Sequence, residues 1–183
     1  SAVELSKKQK NYRLLELELE KYYLEEVFTA VKDLGSRLIT DYLRHIIDIM
    51  NIKNICRSRY LEERMDFDSF LHENGFIAKD VMAGFKDESL DFFVKEIGRT
   101  DYADIIIKGV HALQNENTFS SFDKNEDLFY IDLFDSVKFT VSNLEKIFQF
   151  FLIKKIEMDY LNIVFTGIVY NIENTRIKSR VGV

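Results

Sequence analysis

The chain has 183 residues, of which 46% are hydrophobic and 31% are charged, and its formal net charge is -6. This composition is typical of a globular protein with one or two domains, and it excludes a disordered chain. The acidic balance argues against broad binding to nucleic acid, because a protein that neutralises many phosphates presents a basic face.

The first predicted elements are two long helices, which the absence of proline from the whole chain favours. Residues 12–34 begin with alternating Leu and Glu and continue with apolar residues at helical spacing, and Gly35 is the expected end. Residues 36–64 repeat the apolar spacing over a similar length. Cys56, the only cysteine, falls in this pattern, so we predict a buried thiol in a reducing compartment.

Four short helices are predicted next, each from a polar residue suited to cap its start or a glycine suited to end it. In chain order they are residues 66–75, 78–84, 87–98 and 100–109. Gly75 is the expected C-cap of the first, Asp87 the N-cap of the third and Thr100 the N-cap of the fourth.

Residues 114–126 are polar and rich in turn-forming residues, so we predict a linker between a helical unit at 12–113 and a partial second unit at 127–183. A shift of about 109 residues superposes the apolar pattern of the second long helix on residues 152–164, with Asp48 over Glu157. We therefore predict an all-α fold of irregular helical bundles built from pseudo-repeats.

The segment 150–168 is mostly apolar and close to the length of a membrane-spanning helix. Its four charges, Lys154, Lys155, Glu157 and Asp159, would each cost about 2.5–3.5 kcal/mol near the centre of a bilayer, so we reject a span. The charges do not gather on one side of the helix. We therefore expect protein to surround this segment on several sides.

Nothing in the sequence predicts a catalytic, cofactor or metal site. His45, His72 and His111 have no partner at metal-ligand spacing, and residues 123–127 begin like a calcium loop but lack its glycine and its final Glu. No glycine-rich phosphate loop, nucleophile elbow or Cys-x-x-Cys occurs. A helical enzyme with a carboxylate site and a general helical interaction scaffold stay as alternative functions.

Asp48 and Glu157 are acidic residues flanked by apolar ones in helices expected to be packed. A buried carboxylate needs hydrogen-bond donors or a cation. An ion pair between helices and a contact with a partner protein both meet that need.

Four segments together resemble a known family, the C subunit of archaeal and bacterial V/A-type ATPases, whose eukaryotic V-ATPase equivalent is the d subunit. They are, in order, "IIDIMNIKNICRSR", "FLHENGFIAKDVM", "IGRTDYADI" and "FFLIKKIEMDYLNIVFTGIVYNIENTRIKSRV". Each motif is short, and the specificity comes from their succession. Arg57, Gly75, Thr100 and the pair Lys155 and Glu157 fall on positions that match the family pattern.

The resemblance implies an all-helical, non-catalytic protein that sits on the membrane rotor ring and seats the central shaft. It places the chain in the cytoplasm, peripheral to the membrane through the rotor, with rotor-ring (proteolipid) and shaft subunits as partners and no nucleic acid. We predict that Arg57, Arg59, Lys155 and Glu157 contact those partners.

The chain has about half the family's usual size and resembles its second repeat and most of its third. A missing first repeat would leave an apolar flank uncovered. We therefore expect the chain on its own to self-associate or to bind its partners weakly.

Overall fold

A computed structural model describes residues 12–60, 70–135, 137 and 143–181. Within these residues the chain forms α-helices, short 3-10 segments and no strand, so the all-α prediction is confirmed. Contacts divide the chain into two compact units, 1–93 and 94–183, and the division falls inside one short helix. Each unit is described by itself below.

The described part of the first unit opens with two long helices, as predicted. Helix α1 is Tyr12–Asp33, and Gly35 follows it with a φ of 67°, a left-handed conformation that favours glycine. Helix α2 is Arg37–Tyr60, and Ser36 caps its start because the backbone N–H of Ile39 donates to Ser36 Oγ at 3.3 Å. The last residues of the predicted second helix, 61–64, lie outside the described part of the chain.

The core of the first unit is built along α2. Phe28 of α1 packs with Leu43 and Ile47 of α2 in one apolar cluster. The fully or almost fully buried apolar residues of α2 are Ile39, Ile47, Ile49, Ile52, Ile55 and Cys56. Burial raises the pKa of the Cys56 thiol above its ordinary value, and the prediction of a buried cysteine is confirmed.

The first predicted short helix is wrong over residues 71–75. Phe70 is helical but residues 71–77 are not, and residues 66–69 lie outside the described range. The left-handed residue here is Asn74, with a φ of 73°, so Gly75 does not cap a helix. The segment follows an irregular path because side chains of α2 bind its backbone, as shown below.

The next elements are α3 (Lys79–Ala83), a 3-10 helix (Gly84–Asp87) and α4 (Leu90–Ile97). The predicted cap at Asp87 is wrong, because the N–H of Phe92 donates to Ser89 Oγ at 3.2 Å. Phe93 of α4 is buried, and its ring meets that of Phe85 edge-on, with centroids 5.0 Å apart.

The second unit contains α5 (Ala103–Glu116), α6 (Ser120–Leu133), α7 (Asn143–Val169) and α8 (Asn174–Val181). The predicted cap at Thr100 is wrong, because α5 begins at Ala103 with Tyr102 at its N-cap position. Thr100 Oγ1 instead accepts from the N–H of Tyr102 at 3.2 Å, in the turn before the helix. Gly109 lies inside α5, where an added Cβ would be 2.5 Å from the Phe122 ring of α6. Glycine is therefore needed here for the close approach of the two helices.

The predicted linker, 114–126, contains the end of α5, a connection at 117–119 and the beginning of α6. Asn117 has a φ of 54° and ends α5 in the left-handed conformation. The calcium-loop-like residues 123–127 lie on α6. The predicted domain bounds stay a prediction.

Candidate partner interfaces

The buried acidic residue of α2 holds a backbone turn. Asp48 is 0% exposed, and its Oδ2 accepts from the N–H of Phe76 at 2.9 Å. The N–H of Ile77 donates to Oδ1 and Oδ2 at 3.1 and 3.2 Å. Peptide groups of its own unit thus satisfy the carboxylate. Asp48 therefore does not need the contact with a partner protein that the sequence left open as one of two roles.

Asn51 and Asn54 bind the same irregular segment further along α2. Asn51 Nδ2 donates to the carbonyl of His72 at 3.0 Å, and the N–H of His72 donates back to Asn51 Oδ1 at 2.8 Å. Asn54 Nδ2 donates to the carbonyl of Phe70 at 3.2 Å. One face of α2 therefore supplies the hydrogen bonds that a helix or a sheet would otherwise give to residues 70–77.

Arg44 extends this face toward the N-terminus of α2. Its guanidinium donates to the carbonyl of Gly75 at 3.1 Å and lies 4.0 Å from the centroid of the Phe76 ring. The His45 ring lies 4.5 Å from the same ring, between centroids. These contacts indicate a structural role for the motif around Gly75.

His72 is buried at 3% exposure, and neither ring nitrogen makes a hydrogen bond among the described residues. Its Nε2 lies 3.4 Å from Glu20 Oε2, a separation that permits an ion pair only if the imidazole is protonated. A small cavity lies beside this contact, between Leu24 of α1 and Ile47 of α2. Within the described residues no histidine, His72 included, lies in a group that could hold a metal ion.

Two of the four predicted contact residues, Arg57 and Arg59, are half-buried on α2 in the first unit. The Arg59 guanidinium donates to the carbonyl of Phe85 at 2.6 Å and to that of Lys86. These carbonyls lie in the 3-10 helix, so Arg59 ties that helix to α2. At least some of the hydrogen-bond donors of Arg59 are therefore occupied within its own unit.

The other two, Lys155 and Glu157, are exposed on α7 in the second unit. Lys155 Nζ lies 2.8 Å from Asp159 Oδ2, and Lys154 Nζ lies 2.6 Å from Glu157 Oε2. These are ion pairs between neighbouring turns of one helix. Glu157 is thus half exposed where Asp48 is fully buried, although the two share a place in the predicted repeat.

An exposed apolar surface runs along α7, and we call it the α7 stripe. Its members follow one another at alternating intervals of four and three residues, the spacing at which one helix packs along another. They are Ile147, Phe151, Lys154, Met158, Leu161, Phe165 and Ile168. The six apolar side chains are each between 48% and 66% exposed.

The expectation that protein surrounds residues 150–168 on several sides is therefore wrong for the described structure. Only Leu152, Ile156 and Gly167 of α7 are buried, and they lie away from the stripe. Phe150 and Val169 widen the exposed surface, at 57% and 72%. The charges scattered around the helix hide the stripe in the sequence. The four-three spacing of the apolar residues is the signal that identifies it.

The carboxyl group of Asp127, on α6 beside Tyr160 of α7, has a shifted pKa. Burial raises the pKa of Asp127 to about 6, a hydrogen bond from Tyr160 of α7 opposes this shift, and the charge of Glu126 adds to it. Burial and then the Asp127 charge also raise the pKa of Tyr160. Protonation of Asp127 is therefore coupled to the packing of these two helices.

No helix in the described part of the chain is long and apolar enough to cross a membrane. The family model of the ATP synthase (C/AC39) subunit matches residues 1–180 of the chain. The chain belongs to this family. The predicted resemblance to the C subunit of V/A-type ATPases is confirmed. Comparisons with curated proteins and with solved structures gave no match.

Membership places the chain among the subunits of a V/A-type ATPase, in an accessory and not a catalytic family. Other subunits of that complex are its expected partners. The family match covers both contact-defined units. The assignment therefore rests on the chain as a whole and not on one motif.

Proposed function

We propose that this chain is a non-catalytic subunit that couples the central shaft of a rotary V/A-type ATPase to the membrane rotor ring, in proton or sodium transport. The family match over residues 1–180 is the observation that carries this proposal. The ATP chemistry of the complex then belongs to other subunits, and this chain acts by shape and packing, in the cytoplasm and against the rotor.

The internal structure of the first unit suits a part that transmits torque. Torque is lost wherever a linkage opens locally, and segments without regular structure open most easily. Here Asp48 and Asn51 fix the irregular residues 71–77 to α2, and Asn54 fixes Phe70 just before them. The hydrogen bonds of a buried helix face thus stiffen the one long non-helical segment of this unit that the structure describes.

Among the four predicted contact residues, Lys155 and Glu157 suit a partner contact better than Arg59 does. Both are half exposed or more, on the 27-residue helix α7. Arg59 already donates to two carbonyls of its own unit, so its removal would disturb the fold first. Arg57 remains a candidate at the end of α2.

The test is a pull-down of the full chain with detergent-solubilised rotor ring and, separately, with purified shaft subunits, each at low and moderate salt. We expect weak but measurable retention of both partners at low salt, with only partial loss at moderate salt, because packing and not charge dominates the contact. A folded chain, checked by circular dichroism, that retains neither partner at low salt would overturn the proposal.

Variants refine the same assay. Lys155→Ala and Glu157→Ala are expected to weaken retention, and Lys108→Ala is the matched control. Lys108 is a lysine of α5 that is 55% exposed and also pairs with an acidic residue one turn away. If Lys108→Ala lowers retention as much as the other two variants do, Lys155 and Glu157 are not partner contacts. The proposed function would be unaffected by that result.

A further inference from the structure

His72 is an ionisable side chain that is buried in the first unit without a hydrogen bond to its ring. The residue is 3% exposed, and both ring nitrogens lack a hydrogen-bond partner among the described residues. A polar group buried in this way is costly, and most buried polar groups in native proteins have a partner. The arrangement around the ring therefore needs a physical reason.

Glu20 of α1 is the acidic residue that contacts this ring. Its Oε2 lies 3.4 Å from His72 Nε2, and its side chain is 41% exposed, so protons can reach the contact from solvent. Histidine is the side chain that ordinarily changes charge between about pH 5 and 8. With a neutral ring the contact joins a carboxylate to an uncharged group, whereas with a protonated ring it is an ion pair. Uptake of a proton by His72 therefore strengthens the contact.

The other charged groups beside the ring are balanced in sign. A cavity of about 80 Å³ adjoins the His72 ring, and two acidic and two basic residues line it. They are Lys21 and Glu25 of α1, Glu73 of the irregular segment and Lys79 of α3. Helix α2 contributes the apolar Ile47 to this cavity, and the N–H groups of Phe76 and Ile77 occupy the carboxylate of Asp48. The contact with Glu20 is therefore the one that distinguishes a charged His72 from a neutral one.

The two partners of this contact are held with different firmness. Two hydrogen bonds between the backbone of His72 and the side chain of Asn51 fix His72 to α2. Glu20 lies one turn before Leu24, which comes first in the chain among the α1 residues that pack in the apolar cluster with α2. Tyr23, on the same part of α1, is 65% exposed. The contact between Glu20 and His72 thus holds α1 at a point ahead of its apolar packing.

We propose that Glu20 and His72 form a proton-dependent latch, which holds residues 18–24 of α1 against the irregular segment when His72 is protonated and lets them move away when it is neutral. A neutral ring gains hydrogen bonds to water when α1 moves away, because its nitrogens are unpartnered in the closed arrangement. A protonated ring would lose its carboxylate partner by the same movement. Burial of the charged ring opposes closure, and the attraction to Glu20, which is strong in partly buried surroundings, offsets it.

Amide hydrogen exchange of the full chain tests the latch, because it measures local opening of α1. The readout is the protection factor of residues 18–24, which is the intrinsic exchange rate divided by the observed rate. This ratio removes the effect of pH on the exchange chemistry itself. We expect protection about threefold higher at about pH 5.5 than at about pH 7.5, the size that a half-exposed ion pair gives. Equal protection at the two pH values would overturn the proposal.

Glu20→Gln is expected to abolish this difference, since the amide keeps the shape of the side chain and removes its charge. The matched control is Glu25→Gln, at an exposed acidic residue of the same helix that lines the same cavity. We expect the control to keep the wild-type difference. A pH effect that arises at His45 or Asp127 would survive in Glu20→Gln. Survival there, or equal loss in both variants, would contradict the latch.

Glu20→Lys gives a reversal of sign that general instability cannot imitate. A lysine at this position repels a protonated His72, so we expect protection of residues 18–24 to be lower at about pH 5.5 than at about pH 7.5. Glu25→Lys is expected to keep the wild-type sign. Wild-type sign in Glu20→Lys, or reversal in both variants, would show that Glu20 is not the partner of His72. The assay uses this chain alone, so its outcome is independent of the rotor and shaft pull-down.

Discussion

The carboxylate of Asp48 occupies the space that a side chain on Gly75 would need. A Cβ added to Gly75 would lie 2.9 Å from Asp48 Cγ and closer still to Oδ1. The backbone beyond Gly75 turns toward α2 so that the N–H groups of Phe76 and Ile77 reach that carboxylate. Gly75 is therefore required for close approach to Asp48.

Gly75→Ala is the first test of this relationship. The added methyl must displace either the buried carboxylate or the turn, and overpacking of this kind costs about 1–3 kcal/mol. We expect the free energy of unfolding in urea to fall by that amount.

Gly84→Ala is the matched control for Gly75→Ala. A Cβ at Gly84 meets no atom within 4 Å, and its φ of -59° suits any residue. Alanine there is expected to be neutral or stabilising by about 0.4–1 kcal/mol, because it restricts the unfolded chain. Equal destabilisation by both changes would show that Gly75 has no special contact.

Asp48→Asn tests the hydrogen bonds themselves. The amide keeps the shape of the carboxylate but turns one acceptor into a donor, which faces a backbone N–H and leaves it unsatisfied. The expected loss of stability is about 1–3 kcal/mol, measured by urea unfolding. Asp104→Asn, at a side chain that is 80% exposed, is expected to change stability by less than about 0.5 kcal/mol.

The long helices were predictable from sequence because their signals are local. Apolar periodicity and Gly35 define α1, and the apolar spacing of α2 reflects the burial of Ile49 and Ile52 on one side. Asp48 was also recognised as a carboxylate in need of partners. Its partners are peptide groups far along the chain, which no local pattern identifies.

The role of Gly75 could not be predicted for the same reason. A glycine after a short polar run fits a helix cap as well as a close contact, and local sequence does not distinguish the two. In α7 the signal was present and was read incompletely. The charges beside Met158 suggest mixed surroundings, whereas the four-three spacing marks one side that is apolar except at Lys154.

Arg59→Ala tests the tie between α2 and the 3-10 helix. The change leaves the carbonyls of Phe85 and Lys86 without the guanidinium donor. We expect a loss of about 1–2 kcal/mol in thermal or urea unfolding. Arg59→Lys is expected to recover part of it, because an ammonium is a point donor and cannot match the fork.

The control for Arg59→Ala is Arg99→Ala. Arg99 is 62% exposed and pairs with Glu96 at 2.8 Å on the surface. Such pairs contribute about 0–1 kcal/mol. If Arg59→Ala costs no more than the control and instead lowers retention of rotor ring or shaft, Arg59 is a partner contact as the sequence first suggested.

The half-buried Asp127 makes stability depend on pH. Its pKa is raised from 3.8 to about 6 in the folded chain, mainly by burial. Between these values the folded chain holds a proton that the unfolded chain has released. Stability from this group is therefore highest at low pH and falls as pH rises through that window. Solvent screening limits the effect to about 1–2 kcal/mol.

Asp127→Asn removes this dependence while keeping a group that can bond to the Tyr160 hydroxyl. We expect the variant to be more stable than wild type by about 1–2 kcal/mol at pH 7.5, because it no longer buries a charge. The advantage should shrink steadily toward pH 4, where the folded wild type is already protonated at this site. Urea unfolding of both proteins across that range measures it, with Asp104→Asn as the exposed-carboxylate control. A constant difference between Asp127→Asn and wild type at all pH values would show that the proton on Asp127 is not linked to folding.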